Sequence, residues 1–130
     1  MRQNFLVSVI TPVYNAEQFV RAAVESAVHL EEVGEIILIE DGSPDNALSI
    51  CEELTKKYEK IKLYRHPGGV NKGAGASRNL GIKKAGFEYI ALLDADDKYL
   101  PNRFKAERRI FQSRKEVEGV VNNAGLTCSR

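Results

Sequence analysis

Residues 89–101 read YIALLDADDKYLP, an apolar run that ends in three aspartates, Asp94, Asp96 and Asp97. A short apolar run closed by polar turn residues is the pattern of a buried strand. Its tip gathers negative charges that repel one another, so a positive partner is expected there. The same design occurs twice upstream. FLVSVITPVYN (5–15) is rich in β-branched residues and closes on Pro and Asn. EIILIEDGSP (35–44) is apolar from Ile36 to Ile39 and stops in a turn. KIKLYRH (60–66) alternates and reads as a third, less buried strand.

Helical spacing fills the gaps. Phe19, Val20, Ala23, Val24, Ala27 and Val28 form one apolar face, with Asn15 as cap and Gln18 as its capping-box partner. Ser43 as cap and Pro44 at the first helical position start a second helix that buries Leu48, Cys51, Leu54 and Tyr58. A Gly-rich loop precedes a third helix from about Ala74 to Ala85, with Leu80 and Ile82 inward and Gly86 as terminator. Pro101 opens a fourth, carrying Phe104, Ile110 and Phe111, and VEGVVNNAG (117–125) begins a fifth strand. Near-continuous apolar strands alternating with helices predict an α/β fold, a three-layer α/β/α sandwich with a mostly parallel sheet. Ligands of such sheets bind beyond the carboxyl ends of the strands. Those ends are Thr11–Asn15, Asp41–Ser43 and Asp94–Asp97.

The chain has 130 residues, one domain's worth, and a formal charge of +1, which gives no support for nucleic-acid binding. Basic residues gather late, at Arg103, Lys105, Arg108, Arg109, Arg114 and Lys115. They read as a solvated helix face, or else as a surface for an anionic membrane or acceptor. Two cysteines, Cys51 and Cys128, fit neither a disulfide framework nor a zinc pattern, and Cys51 falls on an apolar helix stripe. The apolar run at 5–10 is too short for a signal segment or a membrane span. A cytoplasmic setting is expected, open to peripheral contact with the inner face of the membrane.

Common phosphate and calcium motifs fail at positions they require. Gly68 and Gly73 have P-loop spacing, but Ala74 stands where the lysine belongs. GAGASR places Arg78 at the third glycine of a dinucleotide fingerprint. Lys98 and Tyr99 replace a ligand and the turn glycine of a calcium loop. An acidic pair after the first strand, which a phosphoacceptor signalling domain needs, is replaced by TPVYN. What remains is Asp-x-Asp at a strand end, whose hard oxygens suit Mg2+ or Mn2+ shared with a substrate's phosphates. Capping of a turn and the following helix is the competing role for these aspartates.

Taken together, VSVITPVYNAE, EIILIEDGSPDN and NKGAGASRNLGIKKAGFEYIALLDADDKYLP resemble the family 2 glycosyltransferases, from Val7 to about Gly125 and in the family's order. The resemblance implies a GT-A, Rossmann-like fold. It implies inverting transfer of a sugar from a nucleoside-diphosphate sugar, with UDP favoured, to an acceptor glycan or lipid-linked sugar. It places Thr11, Pro12, Val13 and Tyr14 at the floor of the nucleotide pocket, with Tyr14 against the base. Glu17 matches an acidic position of the first motif, although it also suits the first turn of its own helix. Asp41 is placed against the base, as an acceptor for a ring N–H. Arg78 reaches the nucleotide, and Lys72 with its glycines approaches the phosphates. Asp94 is assigned to the ribose and Asp96 to a divalent cation, Mn2+ or Mg2+, with Asp97 in support. His66 reads as a loop residue.

The family's general base and most acceptor contacts come from a later half of the domain. The expectation is therefore that residues 1–130 are the donor-binding half, truncated before the acceptor-binding half, with the base beyond Arg130 and little transfer by this chain alone. A non-catalytic nucleotide-binding or interaction module with a GT-A-like fold is the alternative.

Overall fold

A computed structural model of the chain describes residues 5–113, 119–122 and 125–129. The elements follow in the order β1 (Val7–Val13), α1 (Val20–Val28), β2 (Val33–Glu40), α2 (Ala47–Lys57), β3 (Ile61–Arg65), α3 (Ala74–Lys84), β4 (Tyr89–Leu92), α4 (Lys105–Ser113), β5 (Gly119–Asn122) and β6 (Gly125–Ser129). They build one sheet in the order β3-β2-β1-β4-β6-β5. The first four strands in that order are mutually parallel. β6 runs antiparallel to β4, and β5 antiparallel to β6. The expected fifth strand is thus one arm of a hairpin whose other arm pairs with β4.

Strand composition explains the layering. β1 and β2 are buried along nearly their whole length, which suits strands covered on both faces. On one face Val7, Val9 and Val13 join Val20, Val24, Cys51, Leu54, Phe104 and Phe111, so α1, α2 and α4 cover that side. On the other face Ile10, Ile37, Ile39 and Ile90 pack with Ala85 and Leu80, beneath α3. β3 lies at one edge of the sheet and is less buried, as its alternation predicts.

Helix α3 lacks an apolar stripe and approaches the sheet through small residues. Ser77 and Gly81 are its buried positions. A Cβ on Gly81 would sit 2.3 Å from Ile10 Cγ2, so only glycine lets the helix lie this close. Ile82, expected inward, faces solvent.

Two helix starts differ from the sequence reading. Asn15 does not cap α1; it adopts a left-handed conformation (φ 51°), and the helix begins at Val20. Phe19, expected in the core, consequently stays half exposed. Nor does Ser43 cap α2, which begins at Ala47, where Asp45 Oδ1 accepts the Ala47 N–H at 3.0 Å. The late basic cluster is not a uniform face. Arg103 is buried against Glu107, and Arg108 lies 3.6 and 3.7 Å from Glu31 and Glu32. Arg114 and Lys115 fall outside the described residues. Among the described residues no helix is long and apolar enough to cross a membrane.

Candidate nucleotide-binding site

The carboxyl ends of β1, β2 and β4 lie side by side because the three strands are parallel neighbours. The turns that follow them are tied together. Asn15, in the left-handed conformation that asparagine tolerates, donates its N–H to Ser43 Oγ at 3.1 Å. Glu40 is buried beneath the second turn. It accepts from the Gly42 and Ser43 amides (3.2 and 2.7 Å) and from Arg65 Nε (3.1 Å). Burial alone would raise its carboxyl, but the hydrogen bonds from Ser43 and Gly42 and the nearby Arg65 charge outweigh burial and hold it below the usual carboxylate range.

Asp41, the next residue, clasps the Gly-rich loop. Its Oδ1 accepts the Lys72 N–H at 2.7 Å; its Oδ2 accepts the Gly73 N–H at 3.0 Å and the Asn71 side-chain amide at 3.2 Å. Asn71 also donates to the Asp41 carbonyl at 2.9 Å. Gly42 makes room for this crossing: its φ is 69°, and a Cβ would stand 2.7 Å from the Asn71 nitrogen. His66 backs the clasp. It is buried, with Nε2 3.0 Å from Ser77 Oγ and 3.5 Å from Asp41 Oδ1. The loop reading of His66 therefore missed its part in holding β3, α3 and Asp41 together.

The third turn carries the aspartates. Asp94, Asp96 and Asp97 are exposed, and one oxygen from each lies within 4.8 Å of the others. At such separations two like charges in water repel by about 1 kcal/mol. Three hard carboxylate oxygens at this spacing fit a divalent cation such as Mg2+ or Mn2+. Arg78 Nη2 approaches Asp94 Oδ1 at 3.3 Å, while its Nε is buried without a partner.

These turns enclose a cleft of about 560 Å3. Of the residues singled out from sequence, Pro12, Tyr14, Asp41, Arg78, Asp94 and Asp96 line it. Asp41 and Asp96 thus share one cavity. Thr11 and Val13 are fully buried and do not reach the cleft wall. Glu17 borders an adjoining recess, where its N–H donates to Asp45 Oδ2 (3.0 Å) and its carboxylate accepts from Asn46 (3.4 Å). Lys72 is exposed and contributes its backbone N–H to the Asp41 clasp. Sequence reading missed Phe19, Asn71 and Ala95, which also line the cleft. Each is an ordinary loop or helix-start residue until the strand ends are brought together.

The cleft lies at the carboxyl ends of parallel strands, beside an Asp-x-Asp turn, where sheets of this kind bind ligands. The family model described as glycosyl transferase family 2 matches residues 8–120. The chain belongs to glycosyltransferase family 2. An uncharacterized glycosyltransferase of Haemophilus influenzae is 40% identical over 93 residues, covering 71% of this chain and 36% of the relative. The minor teichoic acid biosynthesis protein GgaB of Bacillus subtilis is 34% identical over 122 residues, covering 91% of this chain and 13% of its own length. Among solved structures, S. aureus TarS 1–349 in complex with UDP superimposes with a TM-score of 0.74 at 26% identity, over 85% of this chain and 33% of that one. The fold is therefore GT-A. The chain spans about a third or less of the length of these proteins.

Proposed function

We propose that this chain is the donor-binding part of an inverting glycosyltransferase that takes a nucleoside-diphosphate sugar, UDP-linked, together with a divalent cation. The observation that carries the reading is that Asp41, Arg78, Asp94 and Asp96 line one cleft at the carboxyl edge of the sheet. Similarity to TarS, solved with UDP and with UDP-GlcNAc, supports the choice of nucleotide.

In this reading Tyr14, half exposed at the cleft mouth, offers its ring face to the base. Asp41 fixes the loop that walls the base, with at most one lone pair of Oδ1 left for a ring N–H. Arg78 points its guanidinium toward the ribose and diphosphate side, and Asp94 faces the ribose. Asp96, with Asp94 and Asp97 beside it, would hold Mn2+ or Mg2+. The cation, when bound, supplies Lewis-acid neutralisation of charge on the diphosphate. The acceptor hydroxyl forms a bond to the anomeric carbon as the carbon–phosphate oxygen bond breaks. The hydroxyl's proton goes to a general base, which we place in the length of the relatives that these residues do not span. The acceptor is proposed to be a glycan or lipid-linked sugar of the cell envelope, met at the inner face of the membrane, in keeping with the similarity to GgaB.

Isothermal titration with UDP, GDP and dTDP, each with and without Mn2+, tests the reading. Binding of UDP that strengthens with Mn2+ is expected. No heat with any of the three nucleotides would overturn it.

A further inference from the structure

The acidic turn is pinned at both ends, and one residue makes most of the second pin. Where the turn leaves the sheet, the Leu93 N–H donates to the Ile10 carbonyl at 3.0 Å. Inside it, the Asp97 N–H donates to the Asp94 carbonyl at 3.0 Å. At the far end stands Tyr99. Its N–H donates to Ser26 Oγ on α1 at 2.9 Å, and its hydroxyl donates to the Leu92 carbonyl at 2.6 Å. Ser26 is itself held by its bond to the Ala23 carbonyl at 2.6 Å. The Tyr99 ring is buried, with the Arg103 guanidinium 5.0 Å above it and Phe104 edge-on at 5.3 Å.

We propose that Tyr99 is a positioning residue for the cation site: it closes the turn from Leu92 to Tyr99 so that the three carboxylates converge before any ion arrives. The inference rests on the donor-site reading above. Three like charges in one short exposed turn favour its opening, and among the described residues Arg78 is the cation that pairs with one of them. The Tyr99 hydroxyl bridges the turn's two ends directly, since its acceptor is the last residue of β4. A site held in its binding geometry loses less free energy to ordering when the ligand binds.

The test is Mn2+ affinity in the presence of saturating UDP, followed by loss of the free Mn2+ electron paramagnetic resonance signal. Tyr99→Phe keeps the buried ring and removes the bridge. It should weaken Mn2+ binding about tenfold, equivalent to about 1.4 kcal/mol. Ser26→Ala, which releases the Tyr99 N–H, should weaken it in the same direction. Leu54→Ala, on the core face of α2, should lower the melting temperature while leaving Mn2+ affinity unchanged. Equal affinity in the wild-type protein and Tyr99→Phe would overturn the latch and leave the donor site standing. Loss of affinity in Leu54→Ala as large as in Tyr99→Phe would also overturn it, because the effect would then follow global stability. No Mn2+ uptake by the wild-type protein would overturn the donor-site reading and the latch with it.

Discussion

Replacing Asp41 by Asn keeps the shape of the side chain and turns one of its two acceptors into a donor. In the wild-type protein the carboxylate accepts three N–H groups from the loop, those of Lys72, Gly73 and the Asn71 side chain. Whichever way the new amide is turned, its NH2 faces at least one of those donors. At least one charge-assisted bond is lost, worth about 1.5–3 kcal/mol, and the others fall to the neutral level near 1 kcal/mol. Water can reach the loop and recover part of the loss, so we expect a net destabilisation of about 3 kcal/mol. For a domain of this size that is a fall of roughly 10 °C in Tm. Thermal unfolding of the ligand-free protein measures it, and amide hydrogen exchange at Lys72 and Gly73 should accelerate. If Asp41 instead keeps its oxygens free for a base, the substitution leaves the ligand-free protein unaffected. A Tm change under about 2 °C with unaltered exchange would refute the clasp.

Two further outcomes follow from the packing and the buried charge. Gly81→Ala puts a methyl group 2.3 Å from Ile10 Cγ2, so α3 must lift from the sheet; a loss of about 1–3 kcal/mol in urea unfolding is expected, and an unchanged midpoint would contradict the close packing. Glu40 has a folded-state value below its unfolded one, so its contribution is complete above the ordinary glutamate range near 4.3 and is lost as pH falls through the lower folded value. Stability of the wild-type protein should therefore fall below about pH 5, and Glu40→Gln should be less stable at neutral pH with a shallower acid limb; parallel pH profiles would contradict this assignment.

Strands β1, β2 and β4 were legible as short runs rich in aliphatic residues closed by turn residues, and β3 by its alternation, whereas β6 (Gly125–Ser129) carries no such run. The helix starts were not legible. Ser43 followed by Pro44 reads as a cap, yet its hydroxyl is taken by the Asn15 N–H from another turn, and Asp45 accepts the N–H of Ala47, where the helix begins. Helix α3 shows no amphipathic signal because it docks through Ser77 and Gly81, which periodicity does not count as apolar. Arg103 and Glu107 have the spacing of a surface pair, and only the tertiary packing around Phe104 buries them. Asp41, Asp94 and Asp96 could be singled out because strand ends are where such folds bind ligands, and Arg78 through the resemblance to the family 2 glycosyltransferases. The commitments of Asp41 to backbone amides, the support from His66 and the bridge made by Tyr99 leave no trace in residue type or spacing. They exist only once distant turns meet.

The central claim is that a cation and a nucleoside diphosphate together neutralise the acidic rim of one cleft. The most direct measurement is a crystal structure with UDP and Mn2+, read from the manganese anomalous signal. The account predicts a peak bonded to Asp96 and to a diphosphate oxygen, with the uracil beside Tyr14. A peak away from the Asp94–Asp97 turn, or UDP bound outside the cleft, would contradict it.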